Sequence, residues 1–148
     1  MNSGENMCLT AARYIGPIKV NAGGALTITN SKVVGDITTI GASFVKICGS
    51  QITRGLNVRD STGPVTVGDP ASGCAGNQMS RPGVILTGNQ AGVRFGGNTI
   101  VGDLACSSNV PGVTDGSQTN RATGTIAAEC FGPPPTTTTS TTSTTIKP

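Results

Sequence analysis

The residues of this sequence that could do acid–base chemistry are few and widely separated. Asp36 and Asp103 are the carboxylates at matching positions of two similar segments, GDITT and GDLAC. If each segment belongs to one coil of a stacked fold, these carboxylates lie three coils, or about 14 Å, apart at the ordinary strand spacing. The paired carboxylates of glycosidases lie roughly 5 to 9.5 Å apart. The sequence therefore predicts no catalytic residues, and a polysaccharide-degrading enzyme is a disfavoured alternative.

Nucleophilic and metal chemistry also lack their partner groups. A Ser or Cys nucleophile needs a base, and the chain has no His. Lys19, Lys32 and Lys46 alternate with apolar residues, so we expect them on outward strand positions as solvated charges. The cysteines lie 40, 26, 32 and 24 positions apart without a CxxC motif, which is unlike the spacing of zinc ligands. We expect no metal and no cofactor.

The elements that position these residues repeat about every twenty residues, with one insertion. The recurring segments are GPIKV at Gly16, GDITT at Gly35, GLNV at Gly55, PGVIL at Pro82, GDLAC at Gly102 and GTIAA at Gly124. Two more alternating segments follow in each unit, giving three short strands. Stacked units of this kind predict an all-β fold, a single-stranded, right-handed parallel β-helix or β-solenoid of about six coils. An antiparallel sandwich shares the turn spacing but does not require the same residue types to return.

The alternation within each strand assigns the core. On the first side we expect these residues to point inward: Ile18, Val20, Ile37, Thr39, Leu56, Val58, Val84, Leu86, Leu104, Cys106, Ile126 and Ala128. The second side contributes Leu26, Ile28, Val45, Ile47, Val65, Val67, Val93 and Phe95, and the third Val33, Ile52, Met79 and Ile100. Glycines are expected at the corners. Asn and Ser before the third strand are expected to bond the backbone or to stack as a polar ladder.

The five cysteines predict disulfides and an oxidising compartment. Aligning the repeats places Cys74 near Cys48 on the neighbouring coil, and Cys106 and Cys130 on the inward side of adjacent coils. We therefore expect the bridges Cys48–Cys74 and Cys106–Cys130. Cys8 is expected on the outward side of an incomplete first coil, either as an idle thiol or as an intermolecular link.

A polar strip on the second side is the candidate binding surface. Thr27, Lys46, Thr66 and Arg94 occupy matching outward positions, and such a strip suits a glycan or an anionic polymer, although it lacks aromatic residues. The net charge of +3 comes without a basic run, so nucleic-acid binding is not expected. No stretch approaches the length of a membrane span.

The sequence divides into a solenoid domain at 1–132 and a tail at 133–148. The tail, PPPTTTTSTTSTTIKP, has no apolar face to bury and is typical of a linker or stalk. In exported proteins such tracts are often O-glycosylated; the acceptors would be Thr136, Thr137, Thr138, Thr139 and Ser140. The N-terminus lacks the apolar core of a signal peptide, so either a signal has been removed or the protein leaves the cell by another route. We expect a secreted or cell-surface protein.

The order of several segments resembles a known family. GPIKVNAGGALTI, VKICGS, STGPVTVGDP, CAGN, GGNTIVGDLACSSN and the final Cys130 are similar to uncharacterised secreted repeat proteins of actinobacteria, over about Cys8 to Cys130. The resemblance implies a parallel β-helix and export, and carries no activity and no catalytic residues. GTIAAECF, at 124–131, departs from the Gly-Gln-Cys ending of that family, which leaves the last coil less defined by the resemblance.

Three classes of function follow from these observations. The first is a non-enzymatic structural module, extracellular or on the cell surface, that associates end to end into filaments, because we expect no helix to cover the open strand edges of the solenoid. The second is a module that binds a cell-wall or extracellular polysaccharide through the polar strip. A phage fibre component is a further alternative, since virion fibres also use such rods.

Overall fold

The computed structural model describes residues 4–115 and 118–131, and over these residues the chain is built from short strands joined by tight corners. The strands are β1 (Asn6–Thr10), β2 (Arg13–Ile15), β3 (Ile18–Val20), β4 (Ala25–Thr29), β5 (Lys32–Val34), β6 (Ile37–Ile40), β7 (Phe44–Cys48), β8 (Gln51–Ile52), β9 (Leu56–Arg59), β10 (Val65–Val67), β11 (Gln78–Met79), β12 (Gly83–Thr87), β13 (Val93–Phe95), β14 (Thr99–Ile100), β15 (Asp103–Ser107), β16 (Val113–Thr114) and β17 (Arg121–Ala122). Two 3-10 helices, η1 (Pro70–Ser72) and η2 (Ala128–Phe131), complete the described elements.

The strands form three sheets in which every neighbouring pair is parallel. Sheet A has the order β1-β4-β7-β10-β13-β16, sheet B β2-β5-β8-β11-β14-β17, and sheet C β3-β6-β9-β12-β15. Each sheet takes every third strand, so three consecutive strands make one coil that stacks on the coil before it. On the sixth coil the third side is a single parallel bridge between Leu104 and Ile126. The predicted β-solenoid of about six coils is confirmed.

The core is a column of apolar side chains along the solenoid axis, as the alternation predicts. The inward residues of all three sides from Ile18 to Cys106 are at most 6% exposed. The prediction is wrong at Ala128, which is exposed, and Ile126 is only partly buried. The reason is that the chain leaves sheet C after the Leu104–Ile126 bridge and turns into η2, which packs against β15 and β16.

A ladder of buried polar side chains runs along the corner between sheets A and B. Its rungs, here called the first ladder, are Ser31, Ser50, Asn77, Asn98 and Asn120. Each rung after Ser31 accepts a hydrogen bond from the backbone N–H of the rung one coil earlier; the Asn98 Oδ1, for example, lies 2.8 Å from the Asn77 nitrogen. The expected polar ladder before the third strand is therefore present. It satisfies backbone donors that would otherwise be buried without a partner.

A second ladder, which was not predicted from the sequence, runs along the corner after sheet C. Its rungs are Ser61, Asn89, Asn109 and Glu129. The Asn89 side chain donates to the Asn109 Oδ1 at 2.8 Å and to the Val58 carbonyl at 3.2 Å. Glu129 ends the ladder from η2 by accepting from the Asn109 backbone at 3.1 Å. Two of the solenoid's corners are thus fixed by the same internal bonding.

Close stacking explains why some corners need glycine even without a left-handed backbone. A Cβ on Gly63 would collide with the Ser43 carbonyl oxygen of the coil before it. Backbone atoms cannot move aside as a flexible side chain can, so an alanine at this position would push neighbouring coils apart. The glycine content of the repeat thus follows in part from the spacing of the coils.

Replacing Thr39 with valine is expected to raise the free energy of unfolding by about 1 kcal/mol. Thr39 is fully buried between Val20 and Val58 in sheet C, and its hydroxyl has no hydrogen-bond partner among the described residues. Valine has the same shape and removes the desolvated hydroxyl. Urea unfolding of the oxidised protein measures the effect, and Thr38→Val, on the outward side of the same strand, is the matched control. A less stable Thr39→Val protein would show that the hydroxyl is bonded.

Candidate functional site

The predicted polar strip exists as a continuous outward column of sheet A. Thr27 pairs with Lys46, Lys46 with Thr66, and Thr66 with Arg94. The same register adds Cys8 before Thr27 and Thr114 after Arg94. Lys46 and Arg94 are exposed, and the threonines are partly buried. The structure therefore brings all four predicted residues together.

The charge of this strip is partly neutralised within the chain. The Arg94 Nη1 lies 3.2 Å from the Asp69 Oδ2, and the Asp69 side chain is only 4% exposed. Asp69 also accepts a hydrogen bond from the Ser72 hydroxyl at 2.9 Å and stands at the start of η1 in the inserted loop. Arg94 is thus tied to the insertion, which weakens the strip as a site for an anionic polymer.

A cleft on the outer face of sheet C is a second candidate site, which sequence reasoning missed. It encloses about 320 Å³. The register places Asp36, Gly55, Gly83 and Asp103 in one column where the strands of sheet C begin, so two glycines leave a gap between two aspartates. The residues that line the cleft include Ile85, Asn57 and Pro82.

The glycines in the cleft floor are required by packing. A Cβ on Gly83 would meet the Asp103 backbone, and Gly83 has φ +123°, which favours glycine. A Cβ on Gly55 would lie 2.8 Å from the Gly83 carbonyl oxygen. The signal in the sequence is the column Asp-Gly-Gly-Asp at matching repeat positions, in which the glycines mark the gap and the aspartates its two ends.

The two carboxylates of the cleft lie farther apart than the carboxylate pair of a glycosidase. Asp36 and Asp103 are three register steps apart, as the repeat alignment predicts, or about 14 Å at ordinary strand spacing. The Asp103 Oδ1 is also 2.8 Å from the Thr125 nitrogen, from which it accepts a hydrogen bond. Across residues 4–115 and 118–131, no group of three or more His, Cys, Asp or Glu side chains could hold a metal ion. The cleft is therefore an apolar surface with an acidic group at either end.

Both predicted disulfides are present. Cys48 bonds Cys74 with Cα atoms 4.8 Å apart, and Cys106 bonds Cys130 with Cα atoms 5.3 Å apart. Both separations lie within the usual range for disulfides. The first closes the insertion against sheet A, and the second fastens η2 to sheet C.

Cys8 is the free, exposed cysteine in the described part of the chain. Its outward position is as predicted. In the sequence repeat, each unit begins with a strand of sheet C, and β1 and β2 precede the first such strand, β3, so they form the predicted incomplete coil.

Other expectations fall outside the described residues. The proposed O-glycosylation acceptors, Thr136 to Ser140, and the tail at 133–148 are among them. Over the residues that the structure does describe, no helix is long and apolar enough to cross a membrane. Comparison of the chain with family models, with curated proteins and with solved structures gives no significant match.

Proposed function

We propose that this chain is a non-enzymatic structural module, secreted or held at a cell surface, in which the solenoid is a short rod carried on the Thr/Pro-rich tail. The observation that supports this is the use of its reactive groups. Four of five cysteines form disulfides between coils, and the buried amides bond neighbouring coils. The disulfide-bonded cysteines and the buried asparagine amides thus hold the coils of the rod together.

The proposed location rests on the disulfides. Structural disulfides persist in oxidising compartments and are rare in the cytosol. A chain with two of them, one closing the insertion and one fastening the last coil, fits an extracellular protein. The tail would then separate the rod from the surface or from a neighbouring domain.

Polysaccharide binding is the second candidate, and the cleft of sheet C favours it more than the polar strip does. The cleft offers an apolar shelf at Ile85, which is 43% exposed, beside amide and carboxylate groups. Binding sites commonly combine an apolar lining with a few polar groups in this way. The strip offers a flatter surface, on which Arg94 is already paired with Asp69.

A glycan array probed with the oxidised protein separates the two functions. The structural function predicts no saturable binding, and no release of reducing ends when soluble polysaccharides are incubated with the protein. Binding that is lost with Ile85→Arg, but kept with Val101→Arg in the turn after β14, would contradict a purely structural role and establish the cleft as the site. Binding lost with Lys46→Ala/Arg94→Ala would instead establish the strip.

A further inference from the structure

The two ends of the solenoid differ in how they are covered. At the C-terminal end η2 packs against β15 and β16, held there by the Cys106–Cys130 bond. The expectation that no helix covers the ends is therefore wrong at this end. At the other end β1, β2 and β3 are the outermost strands of the three sheets, and no described strand pairs with their outer edges.

Among the described residues, apolar side chains of the N-terminal end are also exposed or only partly buried. Met7 and Leu9 of β1 are only partly buried, whereas their partners one coil later, Leu26 and Ile28, are fully buried. Ile15 of β2 is 72% exposed, the largest exposure among the large apolar residues of the described chain. This end thus combines open strand edges with apolar side chains, a combination that promotes pairing with another chain.

The hydrogen bonds of β1 show which backbone groups face the open edge. The Ala11 N–H donates to the Thr29 carbonyl at 2.9 Å, and the Glu5 carbonyl accepts from the Ala25 nitrogen at 3.3 Å. Backbone groups alternate between the two sides of a strand, so those of Asn6, Cys8 and Thr10 face the open edge. Cys8 is the middle residue of this five-residue strand.

We propose that this end binds the same end of a second copy, with the two β1 strands antiparallel about a two-fold axis at Cys8 and linked by a Cys8–Cys8 disulfide. A two-fold axis places each residue of the interface opposite its counterpart. In that register Cys8 faces Cys8, Met7 of one copy faces Leu9 of the other, and Asn6 faces Thr10. The Cα atoms of a hydrogen-bonded antiparallel pair lie about 5.5 Å apart, within the roughly 4.4 to 6.8 Å of disulfides.

The size of the open end indicates why a covalent link is needed. The three edge strands contain 11 residues, or about 36 Å of edge at roughly 3.3 Å per residue. With a sheet about 10 Å thick, the dimer would bury about 700 Å² in total. Stable interfaces bury at least about 1,200 Å². Strand pairing therefore gives a weak dimer that aligns the thiols, and the disulfide makes the dimer persistent.

The link forms by thiol–disulfide exchange with a small-molecule disulfide such as oxidised glutathione. One Cys8 thiolate attacks a sulfur of oxidised glutathione, which gives a mixed disulfide and releases one glutathione thiolate. The Cys8 thiolate of the second copy then attacks the protein sulfur of that mixed disulfide, forming the Cys8–Cys8 bond and releasing the second glutathione thiolate. The oxidant is thereby reduced to two thiols, and the two protein thiols are oxidised to one disulfide.

The inference rests on the proposed function only in that an oxidising compartment must supply the oxidant. Added oxidised glutathione supplies it for the purified full-length chain, so a failure to dimerise would leave the structural role and the location intact. Non-reducing electrophoresis is expected to show a dimer, and mass spectrometry is expected to find Cys8 joined to Cys8. A monomer whose Cys8 carries glutathione would overturn the proposal.

Charged pairs test the antiparallel register. The variant Asn6→Lys/Thr10→Lys puts like charges opposite each other twice and is expected to slow dimer formation about tenfold. The variant Asn6→Lys/Thr10→Glu puts opposite charges in the same places and is expected to form the dimer at least as fast as the unmodified chain. Equal rates for the two variants would contradict the register.

A moved thiol tests whether any exposed cysteine suffices. Cys8→Ser/Thr99→Cys carries a single free thiol on an exposed strand position away from the open end. It is expected to dimerise at least about tenfold more slowly than the unmodified chain, because no strand edge aligns it. Dimerisation of both proteins at the same rate would show that the open end plays no part.

Discussion

Replacing Asn98 with leucine is expected to lower the free energy of unfolding by about 4 kcal/mol. The Asn98 Oδ1 accepts from the Asn77 nitrogen at 2.8 Å and from the Asn77 side chain at 3.1 Å. The Asn98 Nδ2 donates to the Val67 carbonyl at 2.7 Å and to the Asn120 Oδ1 at 3.0 Å. Leucine has a similar size but can make none of these bonds, so buried donors and acceptors on the coil before and the coil after each lose a partner. Urea unfolding of the oxidised protein measures the change.

The neighbouring residue provides the control for this experiment. Thr99 is exposed on the outer face of sheet B, and Thr99→Ala is expected to change the stability by less than about 0.5 kcal/mol. Asn98→Ser should fall between the two, because Ser50 occupies the matching position two coils earlier and still accepts a backbone hydrogen bond. An Asn98→Leu protein as stable as the Thr99→Ala protein would mean that the first ladder does not hold the coils together.

The double substitution Cys106→Ser/Cys130→Ser removes the second disulfide. It is expected to lower the free energy of unfolding by about 3.5 kcal/mol, on the chain-entropy estimate for a closed loop of this length. The bond joins residues 24 positions apart and fastens η2 across the last coil. Without it, no disulfide holds η2 against sheet C, and the nearby pairing of Ile126 with Leu104 is weakened. We therefore expect faster backbone hydrogen exchange at β15 and β16 than at β4 and β7.

The other bridge is the matched control for that measurement. Cys48→Ser/Cys74→Ser removes a bond across a similar loop, 26 positions long, in the middle of the solenoid. It should lower the free energy of unfolding by a similar amount. Backbone hydrogen exchange should become faster around η1 and β7, and not in η2. Identical exchange patterns in the two variants would contradict the local roles given to the two disulfides.

The sequence predicts the stack well because the core residues return with a strict period. Alternation in segments such as VKI and VTV leaves little freedom in register, since a shift of one residue would turn Val45 and Ile47 out of the core. The polar column of Ser50 and Asn77 follows from the same alignment. The two disulfides follow as well, because a repeat alignment converts sequence distance into coil position.

The ends and the outer surface of the solenoid are harder to predict, because they depend on residues that depart from the repeat and on side chains that are absent from it. The first strands are only weakly marked in the sequence, since NMCLT and RYI lack the glycine pattern of the later repeats. The cleft of sheet C arises from Gly55 and Gly83, and a missing side chain gives no positive signal in the sequence. The ion pair of Asp69 with Arg94 crosses from the insertion to a neighbouring strand, and no periodicity predicts it.

The most direct test of the stacking of coils through buried amides is the hydrogen exchange of the side-chain amides. Nuclear magnetic resonance of the oxidised full-length chain measures it. The Nδ2 protons of Asn77, Asn89 and Asn98 should exchange orders of magnitude more slowly than the side-chain amide protons of exposed Gln51 and Gln78, because exchange requires the coils to open. Exchange of the buried asparagines at the same rate as these glutamines would contradict the stacked solenoid described here.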